Sequence, residues 1–181
     1  LDPKAVLMKI LLTGKDGQVG FELNKKFKAL HDVIAIGRED LDLNHLNDIN
    51  AFVDKIKPDL IIHSAAYTAV DKAELEPEIA HQVNVAASQI LAKKTNQLNI
   101  PIIYFSTDYV FDGLKKEPYV EDDKTNPQSV YGKTKLEGEE AIRQHHKHII
   151  LRASWVFGVH GYNFLKAILK LIQENCLKCI S

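Results

Sequence analysis

Cysteine is almost missing from this chain: Cys176 and Cys179 are the only two in 181 residues. That excludes a disulfide-stapled scaffold. A lone Cys-x-x-Cys also lacks the second ligand pair of a tetrahedral zinc site, so the two read as half-buried residues of a starting strand. An excess of one charge is lacking as well. Lys and Arg number 23 against 24 Asp and Glu, a formal net charge of −1 that gives no general attraction to nucleic acid or an anionic membrane surface. No apolar run approaches the roughly 20 residues a membrane-spanning helix needs. The opening stretch is too short for a secretion signal and carries Asp2, Pro3 and Lys4. The only methionine, Met8, stands directly before a strand-like run. Residues 1–7 therefore read as a leader or remnant outside the fold, and residues 8–181 as one domain of a cytoplasmic protein with no nucleic-acid or membrane partner. His145, His146 and His148 resemble a metal motif, but they sit at a predicted helix end, where cationic side chains suit the dipole; no metal site is expected.

What the chain does contain is alternation. Short apolar runs at Lys9–Thr13, Asp32–Ile36, Leu60–His63, Ile102–Phe105 and Ile149–Arg152 read as strands. Between them lie helical patterns over Gln18–Leu30, with Val19, Leu23, Phe27 and Leu30 on one side, over Leu46–Ile56, and over Pro77–Leu98. Asn126-Pro127 precedes a helix of about 18 residues, and Asn163–Glu174 leads into a last strand at Leu177–Ile180. Strands that alternate with helices predict right-handed crossovers and an α/β, doubly wound parallel sheet covered on both faces. Its strands lack polar alternation, as doubly buried strands should. Such sheets bind ligands beyond the carboxyl ends of their strands.

The informative motifs fall there. Gly14, Gly17 and Gly20, with Asp16 between them, follow the first strand and open a helix. The G-x-x-G-x-x-G spacing is a variant of the dinucleotide fingerprint, in which backbone N–H groups meet a pyrophosphate. This makes the domain Rossmann-like. About 20 residues on, the second strand ends in Gly37-Arg38-Glu39-Asp40; an acid there would bind an adenosine ribose and Arg38 a 2′-phosphate, so NADP is accepted alongside NAD, with NADPH preferred. Small residues from Ser64 to Ala66 follow the third strand, and Thr107 follows the fourth, where a hydroxyl can donate to a carbonyl oxygen. Tyr131 and Lys135, four apart on a helix, share a face. An ammonium favours the ionised phenol, so the pair could pass a proton, although the spacing alone also fits a surface helix with a snorkelling lysine.

Five stretches, GKDGQVG (14–20), AAYTAVDKAE (65–74), STDYVFDG (106–113), YGKTKLEGE (131–139) and RASWVFG (152–158), together resemble the extended short-chain dehydrogenase/reductases, and within them the dTDP-4-dehydrorhamnose reductase family. The resemblance implies Tyr131 as proton donor, Lys135 as the group that lowers its pKa and binds the nicotinamide ribose, and Thr107 as the holder of the substrate oxygen. It also implies Gln18 and Val19 along the cofactor, Asp42 and Leu43 at the adenine end, and Ala65, Ala66 and Tyr67 beside the pyrophosphate and ribose. Asp108 and Trp155 match positions near a nucleotide-sugar. The related 4,6-dehydratases carry Thr-Asp-Glu after the fourth strand; here Tyr109 follows Asp108, which implies a simple reductase. Magnesium leaves no readable signature.

Members of that family continue with further strands and a small region that closes over the nucleotide-sugar, so the resemblance implies a chain truncated at its C-terminal end. Two other readings stay open: a non-catalytic NADP-binding module similar to the regulatory subunit of methionine adenosyltransferase, and an inactive remnant. An apolar edge left in mid-sheet predicts a homodimer.

Overall fold

Each unbroken apolar run forms a strand whose successive side chains feed opposite faces of one sheet. The computed structural model describes residues 6–173. Strands β1 (Lys9–Thr13), β2 (Asp32–Ile36), β3 (Leu60–His63), β4 (Ile102–Thr107) and β5 (His148–Ala153) are all parallel, in the order β2-β1-β3-β4-β5. Helices α1 (Gln18–Phe27), α2 (Leu46–Ile56), α3 (Val70–Leu75), α4 (Pro77–His81), α5 (Ala87–Leu98), α6 (Val130–Arg143) and α7 (Phe164–Gln173) connect and follow them. The chain leaves β1 towards β2 on one side and returns through β3 on the other, which opens a crevice at the carboxyl ends of β1 and β3.

Leu11, Ile61, Ile102 and Tyr104 form one side of the core with Ile49 and Val53 of α2, Leu91 of α5 and Ile142 of α6. Ile10, Leu12, Leu60 and Ile62 form the other, against Leu23 and Phe27 of α1. The predicted helix over 77–98 is continuous, but its turn at Gln82–Ala86 widens to π-type bonding between α4 and α5. Such a bulge turns side chains out of register and often marks a functional site.

Several expectations are corrected. Helix α1 stops at Phe27, because the N–H groups of Leu30 and His31 both turn back onto the Phe27 carbonyl; Leu30 is exposed rather than packed. Helix α3 was not foreseen, and α6 has 14 residues, fewer than its sequence pattern predicts. Strand β5 is not doubly buried: Ile149 and Leu151 are 54% and 43% exposed, since α1 packs on β1 and β2 and leaves that end of its face open. Helix α7 buries no residue, and Phe164, Leu165, Leu169 and Ile172 stay exposed. The predicted strand at 177–180, with Cys176 and Cys179, lies outside the described residues.

Gly138 lets α6 approach the sheet. A Cβ there would lie 2.4 Å from the Tyr104 hydroxyl and 2.5 Å from the Asn84 carbonyl oxygen. Overpacking of this kind costs about 1–3 kcal/mol. Gly138→Ala should lower the unfolding free energy from urea denaturation by that amount, and an unchanged value would show that α6 is free to shift outward.

Candidate functional site

The turn after β1 is built around Gly14, whose φ of 78° lies in the left-handed region. The N–H groups of Gly14 and Lys15 both donate to the Ile36 carbonyl, which pins the turn to the end of β2. Gly20 lets α1 close on that turn, because a Cβ there would lie 2.0 Å from the Gly14 oxygen. No side chain caps the start of α1. Its first-turn N–H groups and dipole are therefore available to an anion.

A cleft of about 400 Å³ runs from this turn to α6. Gly14, Asp16, Gly17, Gln18, Val19, Gly20, Arg38, Asp42, Leu43, Ala65 and Ala66 line it, as do Thr107, Tyr131 and Lys135. The structure thus brings together most of the residues singled out from sequence. Three do not line the cleft. The Tyr67 hydroxyl donates to Glu76 at 2.7 Å. Asp108 accepts from Ser154 at 2.7 Å and from Thr107 at 3.1 Å. Trp155, at a φ of 52°, is 71% exposed with its ring edge-on to Phe164. Thr13, Val83, Ala153 and Val156 also line the cleft. Sequence reasoning missed them because apolar or hydroxyl residues at strand ends and inside helices carry no signature.

Lys135 is 2% exposed; its ammonium donates to the Phe105 carbonyl at 2.7 Å and stands 4.1 Å from the Tyr104 ring centroid. Burial pushes its pKa down to about 7, opposed by the Glu139 carboxylate. Tyr131 differs from expectation. Burial raises its pKa, the hydrogen bond with the Thr107 hydroxyl works the other way, and Asp108 and Tyr109 add to the rise. In this arrangement Lys135 is turned to the Phe105 carbonyl, and desolvation dominates the phenol.

A parallel sheet with a glycine turn at one end of the cleft and a Thr–Tyr–Lys group at the other is the arrangement in which comparisons with known proteins become informative. The RmlD substrate binding domain model matches residues 8–178. The chain belongs to that family. It is 44% identical over 169 residues to a dTDP-4-dehydrorhamnose reductase of Sinorhizobium fredii, covering 93% of this chain and 57% of that protein. The solved dTDP-4-dehydrorhamnose reductase of Clostridium acetobutylicum superposes with a TM-score of 0.89 at 42% identity, over 92% of this chain and 60% of that one. The Bacillus anthracis reductase, solved with NADP, matches with the same TM-score of 0.89 at 33% identity, over 93% and 61%. The chain thus spans about three fifths of the length of these relatives.

Beneath Tyr131 and Lys135 lies a buried polar frame that sequence reading missed. From the π turn, the Asn84 side chain accepts from the Tyr67 N–H at 2.8 Å and donates to the Thr134 hydroxyl at 3.0 Å; that hydroxyl donates to the Tyr131 carbonyl at 3.0 Å. Ser88 donates to the Asn84 carbonyl, so its Oγ accepts from His63 Nε2 at 3.2 Å. The neutral ring then accepts at Nδ1 from Thr13 Oγ1 at 2.8 Å, and Thr13 Oγ1 also accepts the Ala65 N–H. Glu139, fully buried, accepts from Arg152 at 2.8 and 2.9 Å and from Arg143 at 3.2 Å. These charge-assisted bonds hold its carboxyl ionised against burial. Of the three histidines near the end of α6, His145 is buried, with Nε2 2.7 Å from the Ile100 carbonyl oxygen; His146 stands edge-on to its ring at 5.1 Å, and His148 Nδ1 meets the His145 carbonyl oxygen.

Two expectations follow. Glu139→Gln removes the buried carboxylate that pairs with the largely buried Arg152 and should cost about 3 kcal/mol in chemical denaturation; a loss within a few tenths would mean water replaces the pair. Burial pushes the His63 pKa from 6.5 to about 3, so the unfolded chain takes up a proton that the folded chain refuses. This contribution is complete above about pH 6.5 and is lost as pH falls towards 3, by about 1.4 kcal/mol per unit. Unfolding measured at successive pH values should show that slope between 6 and 4, and His63→Gln should reduce it by the same amount.

Proposed function

We propose that residues 8–181 form the nucleotide-binding and proton-donating part of a cytoplasmic reductase. It transfers hydride from NAD(P)H to the C4 ketone of dTDP-4-dehydro-6-deoxy-L-mannose, giving dTDP-L-rhamnose. The observation that carries this reading is the convergence of Thr107, Tyr131 and Lys135 on one cleft with the glycine turn. The glycine turn and the first turn of α1 fit a pyrophosphate; Ala65 and Ala66 give a flat wall for a ribose; Arg38, Asp42 and Leu43 take the adenosine end. When bound there, the reduced nicotinamide supplies the hydride.

The chain's own residues then manage the proton. Thr107 donates a hydrogen bond to the ketone oxygen and polarises it. Tyr131 passes its phenolic proton to that oxygen as negative charge develops, and Lys135 stabilises the phenolate left behind. The Thr107 and Tyr131 hydroxyl groups line the same cleft, which supports a single oxygen position reached by both. Asp108, held by Ser154, adjoins Thr107, and the exposed Trp155 adjoins Val156; both neighbours line the cleft, which supports a nucleotide-sugar site beside it.

With the purified chain, NADPH oxidation by the ketosugar is the test. Tyr131→Phe should lower kcat by at least about 100-fold while NADPH still binds in calorimetry. Tight binding with no turnover by the unsubstituted chain would favour the non-catalytic module instead. The exposed apolar residues of β5 and α7 support self-association. Light scattering should give the mass of a homodimer, and a clean monomer would overturn that part.

A further inference from the structure

At the adenosine end of the cleft, charges of both signs crowd the end of β2. Gly37 is the first residue beyond that strand, and a Cβ on it would lie 2.1 Å from Asp16 Oδ2 and 3.1 Å from Lys15 Cε. Both side chains of the glycine turn therefore lie directly on Gly37. From there the Lys15 ammonium reaches Asp40 at 2.5 Å and Glu39 at 3.2 Å. Asp40 also accepts the Gly37 N–H at 2.9 Å, so the lysine, the acid and the strand end are joined. Asp42, a little further on, accepts from the Asn44 backbone N–H at 2.9 Å and lies within electrostatic range of Arg38.

Asp16, Glu39, Asp40 and Asp42 thus put four carboxylates against two cations, Lys15 and Arg38. The corner where an adenosine ribose would sit is net acidic. A ribose 2′-hydroxyl can donate to such a corner, whereas a 2′-phosphate, with close to two negative charges, is repelled unless cations face it. Arg38 alone does not balance four acids. Hydrogen bonds to Asp40 and Glu39 keep Lys15 protonated, and the hydrogen bond from Gly37 together with that from Lys15 keeps Asp40 ionised.

We propose that Lys15, in the glycine turn, determines whether this site accepts a 2′-phosphorylated adenosine ribose. Its single charge offsets part of the repulsion from Glu39 and Asp40 and adds to that of Arg38 against the phosphate. Asp16 opposes it from the same side of Gly37. The inference rests on nicotinamide nucleotides occupying the cleft, and it goes further by giving the discrimination to a residue outside the β2 end itself.

Binding alone tests it, without substrate. Calorimetric Kd values for NADPH and NADH, and for 2′,5′-ADP and 5′-AMP, would be measured on the unsubstituted chain and on Lys15→Met, Lys15→Arg and Asp16→Asn. Lys15→Met keeps the stem that packs on Gly37 and removes the charge. It should weaken NADPH and 2′,5′-ADP by about tenfold and leave NADH and 5′-AMP within about twofold, which also shows that the variant is folded. Lys15→Arg should restore the difference, and Asp16→Asn should tighten the phosphorylated pair selectively. Equal changes for phosphorylated and unphosphorylated ligands in Lys15→Met would overturn the inference while leaving nucleotide binding intact. Failure of the unsubstituted chain to bind any of the four would remove the binding reading and this inference together.

Discussion

Asn84 ties together three segments that meet beneath the cleft. Its amide oxygen takes the Tyr67 N–H, its amide nitrogen serves the Tyr67 carbonyl and the Thr134 hydroxyl, and its own carbonyl receives Ser88. The bonds to Thr134 and from Ser88 are buried and those to Tyr67 partly so, which makes each costly to leave unmade. The π turn is what lets one residue reach so many partners, because an extra residue in the turn rotates Asn84 towards α6. Through Thr134 the same frame reaches the backbone of Tyr131. The position of the proposed proton donor is therefore inherited from the packing of α6 on α4 and α5.

Charge is handled in the same region by pairing rather than by exposure. Lys135 is buried on one side of α6, and its ammonium is satisfied by a carbonyl and an aromatic face. One turn on, Glu139 is buried against two arginines, and Arg152 also donates to the Glu121 carbonyl, joining β5 to the segment before α6. An isolated charge would not persist at these depths, so the pairings set which groups remain ionised. His63 is the converse case: burial, helped by the nearby Lys135 charge, keeps it neutral.

The sheet is covered unevenly. Helices α2, α5 and α6 close one face, while α1 shields only the β1–β2 end of the other. This asymmetry places the ligand cleft above the β1–β3 crossing and leaves apolar side chains of β5 and α7 at the surface. The walls of the cleft come from strand ends and helix starts, including the start of α1 and the end of β5.

The sequence by itself determined the strands and their order of appearance, because unbroken apolar runs such as KILLT and LIIH can be satisfied only inside a sheet. It also determined the glycine turn, because Gly14 and Gly20 stand where any other residue would clash. The Tyr131–Lys135 pair was legible once five motifs in sequence agreed on one family. What only the tertiary structure decided depends on distance rather than on pattern. The link from Asn84 to Tyr131 spans some fifty positions between Asn84 and Thr134, and no local periodicity marks it. The upward shift of the Tyr131 phenol comes from how deeply α6 packs, which the spacing of two residues cannot convey. The uncovered face of β5 was hidden for the same reason: an apolar run reads alike whether a helix lies over it or not.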